Sequence, residues 1–361
     1  EALHSLLLTD TPLIAPERQR ALRDRLWSML PVSYRGVLAG AGPRDAAPRG
    51  ALAPTTTDGS REPPESWPGL ARPRSLAGEA PVTRLLARAL AADWPPRDQG
   101  ASPSCVAFAA CAALEAAGAV APGERLSAAF LYRRMRLLPL GEGPEPPGAE
   151  IGATKLGDAA RVIVEEGLLT EREWRDSSPM RLERQPMPDD PGETLRDQAR
   201  QRRLPFGLGY WDRGDQGWPG AARAVLELLK EGRPVAVTLP EYEAPVGRGA
   251  ITNWRLPAVW LRGEVLDPPK LWKRAASGHA VCILGFQPAE DDPLGGWFIF
   301  RNSLGLRFAT GAPGPERRSA DGTPLPPRVP DNGYGAISAI HIEDHLWEIL
   351  APPVDPLGVV A

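Results

Sequence analysis

Cysteine is scarce in this chain of 361 residues, and the three thiols, Cys105, Cys111 and Cys282, cannot build a disulfide framework. That scarcity sets aside the bridge-stapled secreted scaffolds and fits a reducing cytoplasm. An excess of charge is lacking too, with 42 Lys and Arg against 45 Asp and Glu and a net charge of -3. Such balance gives no global pull toward nucleic acid or an anionic membrane. No run of 18 apolar residues occurs, so no membrane-spanning helix is expected. The start, Glu1-Ala2-Leu3-His4, has neither the basic region and apolar core of a secretory signal nor a Met, so a processed chain or a piece of a longer one is expected. Histidine is limited to His4, His279, His341 and His345, so any imidazole chemistry falls on these four. No internal repeat is visible.

Proline and glycine are abundant, 42 and 37 residues, and with much Ala and Arg they fit the coding bias of a GC-rich bacterial genome. The length allows a substantial core in one large or two small domains. Residues 1–33 show helical spacing through Leu6, Leu7, Leu22, Leu26, Trp27 and Leu30. Residues 34–81 turn to Gly, Pro, Ala, Thr and Asp, the composition of an extended connector. The dense part spans 82–350, followed by a tail over 351–361.

Within the dense part, Ser104 ahead of Cys105 and the run from Val106 to Ala119 predict a helix starting at the cysteine. Ser127 is placed to cap a second helix through Phe130-Leu131-Tyr132, and Gly167 to close a third over Gly157 to Glu166. Residues 178–217, rich in Pro, Asp and Arg, read as an irregular insertion. Ala221 to Glu231 reads as a short helix. Strands are expected over Pro234 to Leu239, His279 to Phe286, Trp297 to Arg301 and Gly335 to Ile342. Helices first and strands later define an α+β chain of two differently built halves.

The chemistry sits in three distant pieces: Asp98-Gln99-Gly100 leading to Ser104-Cys105, then Gly278-His279-Ala280-Val281, then Arg301-Asn302-Ser303-Leu304-Gly305. A thiol, an imidazole and an amide in that order are the parts of a Cys-His-Asn hydrolase. A helix N-terminus and a neighbouring imidazolium both favour thiolate at Cys105. Cys111 and Cys282 read instead as small buried apolar residues. His279 opens an apolar strand, where a ring facing a cleft can exchange protons. Asn302 can fix the imidazole tautomer, and Gln99 can donate to a developing oxyanion together with the Cys105 backbone N–H. His341 and His345 have i,i+4 spacing, but Ile342-Glu343-Asp344 between them is not the zinc pattern H-E-x-x-H. They read as a solvated helix start after a strand.

These residues resemble the papain-like cysteine peptidases (peptidase family C1), of bacterial type, over roughly Val82 to Leu350. Further agreement comes from Leu126-Ser127 with Phe130-Leu131-Tyr132, Glu165-Glu166-Gly167-Leu168, Gly232-Arg233-Pro234-Val235 and Gly333-Tyr334-Gly335. The resemblance implies a two-lobed α+β fold, with a helical left lobe, an antiparallel β-barrel-like right lobe and a cleft between them. It implies Cys105 as nucleophile, His279 as base, Asn302 orienting the imidazole and Gln99 in the oxyanion hole. Neither a cofactor nor a metal is implied. The chain departs from the family at Pro103, where Gly is usual, and at Val106 and Leu304, where Trp is usual; Gly148 or Gly152 stands for the family's wall glycines.

The implied activity is thiol-dependent endopeptidase hydrolysis; the long Pro/Gly-rich connector and the absent start Met point to the protease effector of a larger bacterial protein. An inactive peptide-binding or partner-binding module is the alternative, as is an acyl-transferase or deamidase on the same site. The implied partners are a protein or peptide substrate and a regulatory partner or upstream domain met through residues 1–81. Those residues are either a propeptide over the cleft or an adaptor with its linker, and the connector's composition favours the second.

Overall fold

The computed structural model describes residues 51–52 and, with short interruptions, 72–138, 152–174, 192–212, 219–243, 252–310 and 332–356. The helix expected over 1–33, most of the connector, Gly148 and the end of the tail lie outside the described residues. Ala51–Leu52 forms a two-residue strand, β1. The packed chain begins by residue 72, ahead of the boundary expected at Val82. Leu76 is fully buried and its N–H donates to Leu294 O at 2.6 Å, while Glu79 binds Arg223 and Lys230. A connector would leave such groups in solvent.

Among the described residues, the first half holds the helices α1 (Arg84–Ala91), α2 (Cys105–Ala117), α3 (Ala128–Leu137), α4 (Leu156–Glu165) and α5 (Gly192–Arg200). Every residue of α2 except Phe108 is buried, as an alanine-rich helix without a polar face must be. It ends at Gly118, whose φ of 101° lets its N–H close back onto Leu114 and Glu115. Ser127 caps α3 by accepting from Phe130 N at 3.1 Å, worth about 1 kcal/mol. α5 lies inside the stretch expected to be irregular. Its Ala199 packs with Phe130 and Leu169, a contact the polar composition of the segment hides.

The second half supplies β2 (Gly209–Asp212), α6 (Ala221–Lys230), β3 (Val235–Glu243), α7 (Pro257–Arg262), β4 (Glu264–Val265), β5 (Lys273–Pro288), β6 (Gly296–Arg301), β7 (Tyr334–Ser338), α8 (Ala339–His345) and β8 (Glu348–Ala351). The strands form one sheet in the order β2-β8-β3-β5-β6-β7-β4, antiparallel except for the β4–β7 pair, with β1 added against β5. This α+β layout carries α2 against β5 in a shared core of Cys105, Val106, Ala109, Val281 and Ile283. The strand expected over Gly335 to Ile342 is corrected: it stops at Ser338 and α8 takes over. Tertiary contacts decide this, since Glu343 on α8 accepts from Gly220 N and Ala222 N at the head of α6.

β8 brings a buried carboxylate to another helix start. Glu348 accepts from Leu156 N and Gly157 N at 3.2 Å, from Thr238 Oγ1 at 2.9 Å and from Tyr210 OH at 3.0 Å. Burial outweighs these donors and pushes Glu348 from its ordinary 4.5 up to about 7. Because the folded value is the higher one, its stabilising contribution is complete below pH 4.5 and is lost as pH rises through about 7. Relative to Glu348→Gln, the parent protein should lose on the order of 3 kcal/mol of unfolding free energy over that window. Urea unfolding of both proteins across the window checks this, and a difference independent of pH would count against it.

Candidate active site

The register of three strands assembles the imidazole and the amide. Leu239 of β3 faces His279 of β5, and Cys282 of β5 faces Arg301, the last residue of β6. Asn302 therefore emerges beside the strand that carries His279. Just before the histidine, Gly278 is required by space, because a Cβ there would lie 2.3 Å from Leu239 O and 2.6 Å from the Trp347 ring. His279 Nε2 and Asn302 Oδ1 are 2.8 Å apart, both residues buried. The same Oδ1 accepts from Ser303 N at 2.8 Å, which identifies it as the oxygen. The facing ring nitrogen must then carry the proton, so Nε2–H donates and Nδ1 becomes the nitrogen for proton exchange.

Gln99 is tied to this pair. Its N–H donates to Ser303 O at 2.8 Å, its side-chain Nε2 donates to Ser102 O at 2.7 Å, and Ser303 Oγ donates to its Oε1 at 2.5 Å. Gly305 N donates to Arg97 O at 3.0 Å, so residues 97–99 and 303–305 form a short ladder. One Gln99 amide hydrogen is used by Ser102, which leaves the second for another acceptor.

Cys105 stands in the first turn of α2, fully buried, on the helix that packs against β5. Burial, opposed by Arg136, pushes the neighbouring Tyr132 phenol up to about 12. Tyr132 OH donates to Gly152 O at 2.8 Å. At Gly152, with φ of 86°, an added Cβ would come within 3.2 Å of Pro103 Cγ. That places this glycine beside the Ser102–Cys105 turn, while Gly148 is outside the described residues. Cys111 and Cys282 are fully buried; burial raises both, and Cys282 reaches about 12, which keeps these two thiols protonated.

Three features had no signature in the spacing of residues. Trp254 meets the His279 ring edge-on, with centroids 4.8 Å apart at 71°, and so supplies the aromatic contact that Leu304 cannot. Ser303 joins Gln99 to Asn302. Beneath them, Glu115 of α2 is fully buried, with Oε1 2.8 Å from Arg97 Nη2 and Oε2 3.6 Å from Arg301 Nη1. Burial works against the Arg97 charge, yet Glu115, Cys111 and Glu171 hold it above its ordinary value; burial pulls Arg301 down against the pull of Glu115. A lone Glu in an alanine-rich run was the available signal. β1 adds one neighbour to the site, pairing Ala51 with Gly278 and Leu52 with Ser277.

The fold is the papain-like α+β fold. Among similar solved structures, procathepsin B S9 from Trypanosoma congolense shares 14% identity, with 86% of this chain and 88% of that chain covered and a TM-score of 0.50. Xylellain, a cysteine protease from Xylella fastidiosa, is similar at 18% identity over 73% of this chain and 83% of that one, TM-score 0.45. Digestive procathepsin L 3 of the Tenebrio molitor larval midgut is similar at 16% identity over 84% and 76%, TM-score 0.45. No family model matches the sequence, and no curated protein matches it. Among the described residues no helix is long and apolar enough to cross a membrane.

Proposed function

We propose that this chain is a thiol-dependent endopeptidase whose nucleophile is Cys105. The observation that carries the reading is the hydrogen-bonded chain His279–Asn302–Ser303–Gln99, set against the helix that Cys105 opens. In the proposed reaction the Cys105 thiolate attacks the scissile carbonyl, and the oxyanion takes the second Gln99 amide hydrogen and the Cys105 N–H. Collapse breaks the C–N bond, His279 gives its proton to the leaving amine, and a thioester remains on Cys105. Water then attacks that thioester, its proton passing to His279, and the C–S bond breaks to release the carboxylic acid and restore the Cys105 thiolate beside the protonated His279. Asn302 and the edge of Trp254 hold the imidazole in plane through both steps.

The strand β1, Ala51–Leu52, is read as part of a cover over the cleft. The pairing of β1 beside His279 and the complete burial of Cys105 and His279 support this over a free linker. A bacterial, cytoplasmic setting inside a larger protein completes the reading and rests on composition alone. A thiol-directed peptide inhibitor tests both parts. It should form one adduct, mapped by mass spectrometry to Cys105, and form it at least about tenfold faster in a chain starting at residue 72. That start keeps the Leu76 and Glu79 contacts. Adducts spread over Cys111 and Cys282 would sink the nucleophile, and equal rates in the two chains would sink the cover.

A further inference from the structure

Helix α8 presents His341 and His345 one turn apart, and Asp267, two residues beyond β4, lies against both. Asp267 Oδ1 is 2.8 Å from His345 Nε2 and 3.7 Å from His341 Nδ1, and the two rings stand 4.8 Å apart at 64°. One donor atom from each of the three residues falls within 4.8 Å of the others. The expected solvated helix start is therefore corrected: His341 is fully buried.

Two observations separate this cluster from a surface ion pair. First, neither ring nitrogen of His341 has a hydrogen-bond partner among the described residues. A neutral imidazole always has one donor and one acceptor, and burying both without partners is costly. The 3.7 Å from its Nδ1 to Asp267 is too long for a hydrogen bond, yet close to the ~3.4 Å that separates two ligands on a tetrahedral ion with bonds near 2.0–2.1 Å. Second, the far nitrogen of His345 is already engaged, with Nδ1 2.9 Å from the Tyr242 hydroxyl and the two rings 4.9 Å apart. A ligating histidine is oriented in this way: Nδ1–H donates to an oxygen outside the first ring of ligands, and Nε2 keeps its lone pair for the metal.

We propose that His341 Nδ1, His345 Nε2 and an Asp267 oxygen bind a divalent transition ion, best fitted by Zn²⁺. Two imidazoles and one carboxylate suit this borderline ion, whereas Ca²⁺ and Mg²⁺ call for oxygen donors throughout. Asp267 is exposed, so the fourth position opens to solvent and a water fills it. The ion ties the chain after β4 to α8, and through Tyr242 to the end of β3. None of these residues belongs to the Cys105–His279–Asn302 group, so the site stands or falls apart from the proposed peptidase reaction.

The test is a Zn²⁺ titration of the full chain carrying Cys105→Ala, which removes the other thiol-and-imidazole ligand set, read by competition with a chromophoric chelator. One ion per chain is expected. His345→Ala and Asp267→Asn alter partly exposed groups and should each weaken binding at least about 100-fold, and Tyr242→Phe about 10- to 100-fold. Zn²⁺ should raise the unfolding temperature of the parent but not of the first two variants. Absence of stoichiometric binding, or binding that His345→Ala and Asp267→Asn leave unchanged in natively folded protein, would overturn the assignment.

Discussion

Replacing Cys105 with alanine is expected to lower peptide hydrolysis by at least about 10⁴-fold, the scale on which a covalent nucleophile contributes. The substitution removes the sulfur and nothing else. The His279–Asn302 contact at 2.8 Å and the Gln99–Ser303 contacts do not involve the thiol and should persist. KM should therefore change far less than kcat, because binding is separate from the bond that the thiolate forms. Cys111→Ala and Cys282→Ala supply the contrast: both thiols are buried and held protonated, so turnover should survive their loss. Steady-state hydrolysis of a fluorogenic peptide decides the matter. Activity in Cys105→Ala above about 1% of the parental rate would remove Cys105 from the chemistry.

The second large effect is on stability. Glu115→Ala should cost about 3–5 kcal/mol, the usual penalty for leaving buried cations without their anion. Its carboxylate meets Arg97 at 2.8 Å, lies 3.6 Å from Arg301 and accepts from Leu126 N at 2.9 Å. Arg97 and Arg301 flank the segments that hold Gln99 and Asn302, so activity should fall along with stability. Glu165→Ala is the natural control, since its pairing with Arg161 at 3.1 Å is solvent-exposed and worth about 0.3–0.5 kcal/mol. Urea midpoints for the two variants should differ widely. Equal midpoints would mean that the buried network contributes no more than a surface pair.

Local chemistry was legible in the sequence where a short stretch decides its own structure. Ser104–Cys105 marked the head of α2, Ser127 its cap on α3, and the valine-rich run after Pro234 the strand β3. The His279 and Asn302 pair was readable because an apolar run follows the first and another precedes the second, although β5 begins at Lys273, six residues before the histidine expected to open it. What escaped depends on contacts across the chain. The run from Gly335 to Ile342 is apolar throughout and fits strand or helix; Glu343 reaching the head of α6 selects helix for its second part. Ser303 and Gln99 lie 204 positions apart, and no spacing rule joins them. Trp254 touches His279 from a loop with no periodicity at all. The burial of His341 was invisible for the same reason, because polar residues at i,i+4 look alike whether they face water or a packed sheet.

One closure near the site bears on how the chain can vary. Asn302 N donates to Gly333 O at 2.9 Å, and Gly333 N donates to Phe308 O, so Phe308, Gly333 and Asn302 are tied together through their backbones. Whatever sequence separates Phe308 from Gly333, these two backbone bonds hold Asn302 in place.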